Sequence, residues 1–343
     1  MPGLIAPPNA PTPGREKSAF ATLEANPDAG FMLNAPHPNA PLVITFAFVS
    51  WDSLPAFDFV RRVNKLSVAT NRPINCLYLR DSANLWYQHG IAGLGRDVHE
   101  TANRMREVID AVRPSSVSIV GQSMGGYAAV LYGALLGVDR VLAFGPLSYL
   151  RPDWARRDGD LRWISVMDKL ERYPPAPCYD DLPALLSSLS TIPEIQLVYG
   201  TGAEDDGTAN LDALHSSRFR QVAGVRVTDI AEAPHAVVKW LIDQGRIDDM
   251  LAAALLPERG PVARFRVPLP SPMGTSQYLS FDDEWRGWIA ENLVHGVEPG
   301  DLLFELAAQG FHLAEAQREI DKALRSPYLA PALRLKALAS SPA

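Results

Sequence analysis

Apolar residues along the chain gather into short continuous runs, separated by stretches in which they recur every three or four positions. The runs are Leu42–Val49 (LVITFAFV), Ile74–Leu79 (INCLYL), Ser115–Val120, Val138–Phe144, Ile195–Gly200 and Val225–Ile230. Short and rich in β-branched and apolar residues, they predict strands, with the continuously apolar Leu42–Val49 buried on both faces. A further stretch around Gly30–Leu33 is a candidate edge strand. Helical spacing fills the intervals: around Ala56–Ala69, Arg96–Val112 (Val98, Met105, Val108, Ile109, Val112), Tyr127–Leu136, Leu211–Phe219 and Ala236–Leu256. Strands alternating with helices, without hairpin signals between them, predict the α/β class: a doubly wound, mostly parallel sheet.

The rhythm breaks after Gly145-Pro146. Residues 148–190 contain Trp154, Trp163, several arginines and prolines and no strand pattern, so they are expected to form an inserted cap or a crossover decorated with short helices. The ends differ from the middle. Residues 1–40 read as a Pro-rich N-terminal arm, with five prolines in the first sixteen positions, and residues 41–256 as the main domain. Residues 257–281 carry five more prolines and read as a linker. Residues 282–330 show three amphipathic helical patterns, Asp282–Val294, Pro299–Ala308 and Leu313–Arg325, broken at Gly296 and Gly310. So small a three-helix unit buries little core of its own. It is expected to lean on the main domain, on a second copy of the chain or on a partner protein.

Composition narrows the function. The 343-residue chain has a net charge of −7 and no basic stretch, which argues against a nucleic-acid partner. No run of eighteen apolar residues and no basic-then-apolar leader is present, so neither a membrane span nor a Sec-type signal is expected. Two cysteines, Cys76 and Cys178, make no disulfide framework, and a cytoplasmic setting is expected. No His, Cys or carboxylate cluster has ligand spacing and no glycine loop of nucleotide sites is present, so no metal and no cofactor are expected.

The chemistry is concentrated at residues 115–136. A β-branched run leads into Gly121-Gln122-Ser123-Met124-Gly125 and then at once into a helix former, Tyr127–Leu136. A serine at the apex of a strand–turn–helix is held in strained φ/ψ, and its neighbours two residues away must lack side chains. Such a turn lifts Oγ above the sheet edge and aims the first helical amides at one point, where negative charge would be stabilised. A serine nucleophile needs a base, and the base an orienting acid. His235 follows the strand Val225–Ile230 and precedes a helix, which brings it to the edge that carries Ser123. The acid is expected on the loop after Gly200, which holds Glu204, Asp205 and Asp206 side by side; Asp206 is favoured over Asp205, with Glu204 third and Asn210 as a cap for the next helix. Trp86, Tyr87 and His89, past a strand end, either line the pocket or plug the loop beneath it. The arginines 151, 156, 157 and 162 are expected to be a solvated face rather than a site for an anionic substrate.

The order Ser, acid, His on alternating strands and helices resembles the α/β-hydrolase superfamily over roughly residues 40–256. The phrase GQSMGGYAAVLYGALLGVDRVLAF, with Leu79-Arg80-Asp81 followed by Trp86-Tyr87-x-x-Gly90, is similar to a bacterial subgroup of that superfamily. The resemblance implies a serine hydrolase of the esterase or thioesterase type with a Ser123–Asp206–His235 triad. It implies an oxyanion hole formed by the Met124 amide and a second amide within Val49–Asp52, with Trp51 beside the substrate. Ser50-Trp51 stands where lipases carry a glycine run, which argues against bulky esters. The implied substrate is a small molecule or an acyl group on a carrier or peptide. An acyltransferase with the same triad and a non-catalytic binding protein on the same fold are the alternatives. Residues 282–329, with Trp288-Ile289-x-x-Asn292-Leu293, Gly310-Phe311 and Ser326-Pro327-Tyr328, resemble a helical segment beside bacterial cupin-like hydroxylases, and ubiquitin-associated-type modules. That likeness implies a docking or dimerisation element.

Overall fold

The computed structural model describes residues 25–51, 53–175, 178–204, 206–207, 210–256, 268, 278–329 and 331. Most of the N-terminal arm and the linker, as well as Asp52 and Asp205, lie outside these residues. The strands are β1 (Phe31–Asn34), β2 (Leu42–Phe46), β3 (Asn75–Leu79), β4 (Val117–Gln122), β5 (Arg140–Phe144), β6 (Glu194–Gly200) and β7 (Val225–Ile230). They form one seven-stranded sheet in the order β1-β3-β2-β4-β5-β6-β7. β1 runs antiparallel to β3, and every other neighbouring pair is parallel. This is the doubly wound, mostly parallel sheet expected from the alternation.

The reason is visible residue by residue. β2, β3 and β5 are buried at every position, because helices cover both faces of a parallel sheet. Leu42, Ile44 and Phe46 point to one face with Leu77 and Leu79, against α2 (Val98–Val112) and α3 (Met124–Leu136). Val43, Cys76 and Tyr78 point to the other, against α1 (Val60–Thr70), α8 (Val237–Asp243) and α9 (Ile247–Leu255). α3 is buried along its whole length and is apolar all round, as a helix at the centre of a layer must be. The single closing helix expected over Ala236–Leu256 is two, parted at Gly245, whose φ of 67° no helix accepts.

Between β5 and β6 the segment 148–190 folds as α4 (Pro152–Asp158), α5 (Ile164–Arg172) and α6 (Leu182–Ser188). It is closed at its base by a bridge between Tyr149 and Asp181. α7 (Asp212–Phe219) follows β6. Strand order reverses between β2 and β4, and outside the carboxyl ends of the strands at such a switch point open α/β sheets hold ligands.

The C-terminal unit comprises α10 (Asp283–His295), α11 (Pro299–Ala308) and α12 (Leu313–Arg325). Phe281 stacks on Phe311 with centroids 4.1 Å apart, and Trp285 meets Phe311 edge-on at 4.9 Å. Of the supports expected for so small a unit, the main body is present here. Ile289, Leu293, Leu306 and Ile320 belong to the same contiguous core as β2 and α3. His312 donates from Nε2 to the Arg96 carbonyl at 2.7 Å, Lys169 donates to Gln317 and Lys322 pairs with Asp28.

This seam carries two imidazoles, His89 and His312, with ring centroids 5.9 Å apart. Burial pushes each down to about 4; the neighbouring His312 lowers His89 further, and Arg318 lowers His312, while a backbone carbonyl raises each, that of Tyr173 for His89 and of Arg96 for His312. A histidine whose pKa is lowered in the fold contributes stability above its unfolded pKa, near 6.5, and loses it as pH falls towards the folded value. The guanidinium midpoint should therefore fall between pH 6.5 and pH 4.5, and His312→Asn, which cannot protonate, should flatten that fall. An unchanged slope in the variant would remove the seam as its cause.

Candidate active site

β4 ends at Gln122 and α3 begins at Met124, leaving Ser123 as the single residue of the turn. Its φ of 51° and ψ of −119° lie outside the regions open to ordinary residues, as expected of a nucleophile elbow. The strain is held in place from both sides. The Ser123 amide donates to the Phe144 carbonyl at 2.8 Å, and the Tyr127 amide to the Ser123 carbonyl at 2.9 Å. Glycine is required two residues on: a Cβ at Gly125 would lie 2.2 Å from the Phe46 carbonyl oxygen. That close approach sets the N-terminus of α3 against the end of β2 and the loop that follows it.

His235 leaves the loop after β7. Its Nε2 lies 3.2 Å from Ser123 Oγ, while Nδ1–H donates to Asp212 Oδ2 at 2.7 Å. The carboxylate against the imidazole is thus Asp212, the first residue of α7, and not Asp206, the sequence expectation. Asp206 is exposed on the loop after β6, and Asp205 lies outside the described residues. The physical reason for the displacement is Asn210. Its Nδ2 donates to the Gly200 carbonyl at 2.8 Å and its Oδ1 accepts the Asp212 amide at 2.9 Å, folding the loop back so that α7 starts at the strand end. Glu204 plays a different part, accepting the His235 amide at 3.1 Å and tying the loops after β6 and β7 together. The sequence signal available is an Asp at the start of a helix, two residues after an Asn, a common pattern with many other uses.

Asp212 is 1% exposed. Burial raises its pKa, but the hydrogen bond from His235 and the Arg162 guanidinium outweigh burial and hold it below the usual carboxylate range. It is therefore ionised at neutral pH, the state that fixes the Nδ1–H tautomer. Arg162 Nη1 donates to Asp212 Oδ1 at 2.8 Å. This corrects the reading of the arginines as a solvated face: Arg156 and Arg157 are exposed, whereas Arg162 reaches inward.

The loops after β2 and β3 complete the edge. Asn84 accepts the Ser50 amide at 3.3 Å and donates to the Ser50 carbonyl at 2.8 Å, so its side chain pairs with the β2 loop as a strand would. Asp81 accepts the amides of Ala83, Leu85 and Tyr87 at 3.0, 2.7 and 2.9 Å. Arg80 donates to the carbonyls of Asn26, Ala29 and Pro55. The Leu79-Arg80-Asp81 motif thus builds the loop rather than facing a ligand. Trp86 and Tyr87 are fully buried, the plug of the two readings rather than open pocket walls. The Tyr87 hydroxyl donates to the Ala47 carbonyl at 2.8 Å and props the loop after β2. Trp86 packs under Trp163, with centroids 5.1 Å apart. Trp51 is 55% exposed and lies with its ring centroid 6.3 Å from that of Trp163. Among the described residues, no group of three or more His, Cys, Asp or Glu is placed to hold a metal ion, and no helix is long and apolar enough to cross a membrane.

Sheet order, elbow and the Ser123–His235–Asp212 arrangement together define the α/β-hydrolase fold. No protein-family model matches the chain, and no curated protein matches its sequence. Among solved structures, the chain is similar to the capsule O-acetyltransferase of Neisseria meningitidis serogroup A, at 15% identity and a TM-score of 0.42 over 64% of this chain and 90% of that one. It is similar to an esterase of Pyrococcus furiosus, at 11% identity and a TM-score of 0.39 over 64% and 83% of the two chains. A third likeness is to an α/β hydrolase from the metagenome of sediments of the Mar Chica lagoon, at 14% identity and a TM-score of 0.37 over 63% and 95%.

Gly145, just after β5, supplies a test of how tightly the pair is seated. It has φ of 53°, and a Cβ there would lie 3.2 Å from Asp212 Oδ2 and 3.3 Å from His235 Cε1. Gly145→Ala should cost about 1–2 kcal/mol in unfolding free energy from the backbone alone. It should also lower activity on any substrate of the site. Equal stability and activity to the parent would mean that the His235–Asp212 pair does not press on this turn.

Proposed function

We propose that the chain is a serine hydrolase that cleaves a carboxylic ester or thioester through an acyl-enzyme on Ser123. The observation that carries this reading is the chain of contacts Ser123 Oγ–His235 Nε2 at 3.2 Å and His235 Nδ1–Asp212 Oδ2 at 2.7 Å, set on a strained elbow. Ser123 attacks the carbonyl carbon while His235 takes its proton; Asp212 holds the imidazole in the required tautomer and stabilises the imidazolium. His235 then returns the proton to the leaving oxygen or sulfur. Water, deprotonated by the same imidazole, attacks the acyl-enzyme and releases the acid and free Ser123.

The oxyanion would sit against the Met124 amide at the N-terminus of α3 and an amide of the loop after β2. In that loop the Ser50 amide already donates to Asn84, which leaves Val49 and Trp51 among the described residues of Val49–Asp52 for the second donor. Trp51, exposed on the same loop, is the aromatic surface a substrate would meet first. Esters and thioesters suit the site because their leaving groups demand least of the general acid.

Hydrolysis of p-nitrophenyl acetate tests the assignment. Ser123→Ala should abolish turnover, with a loss of about 10⁴–10⁶ in kcat. Asp212→Asn should cost about 10⁴, the loss seen when the orienting acid can no longer hold the tautomer. Asp206→Asn should stay within about twofold of the parent, as an exposed loop substitution does. A severe loss in Asp206→Asn with a mild one in Asp212→Asn would overturn the assignment of the acid.

A further inference from the structure

The carboxylate that faces His235 is held by a second polar array that the acyl-transfer mechanism does not use. Arg162 spans two buried acids. Its Nη1 donates to Asp212 Oδ1 at 2.8 Å, while Nε and Nη2 form a two-point pair with Asp160 at 2.8 and 2.7 Å. Asp160, 1% exposed, accepts from His215 Nε2–H at 2.9 Å. His215 Nδ1 in turn accepts the Ser148 amide at 3.0 Å and faces the Ser148 hydroxyl at 2.9 Å.

Ser148, His215 and Asp160 repeat the residue types of the site at the other end of one chain of hydrogen bonds, but they are sealed. All three are buried, and Ser148 Oγ also accepts from Arg218 at 3.2 Å. His215 is neutral, because the Ser148 amide donates to Nδ1 and burial pushes its pKa down. The array is therefore a rigid anchor. Its charges are simple: two carboxylates and one guanidinium leave a net charge of −1 facing His235, which becomes zero when the imidazole takes the serine proton.

We propose that Arg162 is a positioning residue of the Ser123 site, fixing the Asp212 carboxylate in the plane of the His235 imidazole by tying it to the Asp160–His215–Ser148 anchor. The inference rests on the serine-hydrolase reading. Asp212 has two carboxylate oxygens and gives each a separate partner: Oδ2 to His235, Oδ1 to Arg162. A carboxylate held at one oxygen turns about its Cβ–Cγ bond; held at both, with its amide fixed by Asn210, it does not. Arg162 itself cannot drift, since its fork is fixed on Asp160 at two points. It belongs to the β5–β6 segment, and its neighbour Trp163 packs against both Trp86 and Trp51. A residue of the β5–β6 segment thus sets the geometry of the acid.

The test uses the full chain and p-nitrophenyl acetate between pH 5 and pH 9. Arg162→Gln should lose about ten- to a hundredfold in kcat, the scale found for partners that orient a reacting ligand. KM should barely move. The acid limb of its profile should shift to higher pH, because without the guanidinium the buried Asp212 gives up its charge more readily. Arg162→Lys, which restores a cation, should recover part of kcat and return the acid limb towards the parent. Should Arg162→Gln fail to fold, the double variant Arg162→Gln/Asp160→Asn removes the cation and one buried acid together and should show the same loss in kcat. Folded variants with kcat within about threefold of the parent and an unmoved profile would overturn the proposal and leave Arg162 a structural tie. Ser123→Ala is measured alongside: turnover surviving there would place the failure in the nucleophile reading, and its loss would isolate any failure to Arg162.

Discussion

A buried negative charge is the constraint on which this molecule turns. Asp212 is nearly sealed from solvent, where an isolated carboxylate would be too costly to keep ionised. It stays charged because the fold gives each of its oxygens a donor, from two segments far apart in sequence: His235 on the loop after β7 and Arg162 between β5 and β6. Satisfying one group therefore fixes three segments relative to Ser123. Gly145 leaves the room that this packing needs, and Asn210 brings α7 back to the sheet edge so that Asp212 arrives there.

The parallel sheet makes such convergence natural. Every parallel strand delivers its loop to one edge, so residues far apart in sequence meet without long-range design beyond strand order. The strained elbow depends on the same edge. Ser123 keeps its unfavourable backbone because Phe144 accepts its amide and Gly125 lets α3 approach β2. The loops after β2 and β3 are braced by side chains acting as backbone, Asn84 against Ser50 and Asp81 against three amides.

Much of this was legible in the sequence, and the rest was not for definite reasons. Apolar runs of strand length placed six of the seven strands, and the glycine spacing around Ser123 placed the elbow, because burial and sterics there act on adjacent residues. His235 was found by its position between a strand and a helix. Asp212 does not stand out in the sequence because the loop after β6 offers three acids nearer the strand, and only the fold-back made by Asn210 carries the chain past them to His235. Arg162 was read as surface because a run of arginines usually is; its turn inward depends on Asp160, whose own partner His215 comes from a distant helix. Trp86 and Tyr87 sit where pocket walls sit in sequence, but positive φ at both, 53° and 58°, folds them under the loop. These are properties of tertiary packing, which no local pattern encodes.

The central claim is that Ser123 is a nucleophile activated by His235 and Asp212. Its most direct test is peptide mapping by mass spectrometry after treatment of the pure protein with a fluorophosphonate, which bonds covalently only to an activated serine. The predicted result is a single adduct on the peptide containing Ser123, formed in the parent and not after heat denaturation. No adduct on the native protein, or one on a different serine, would contradict it.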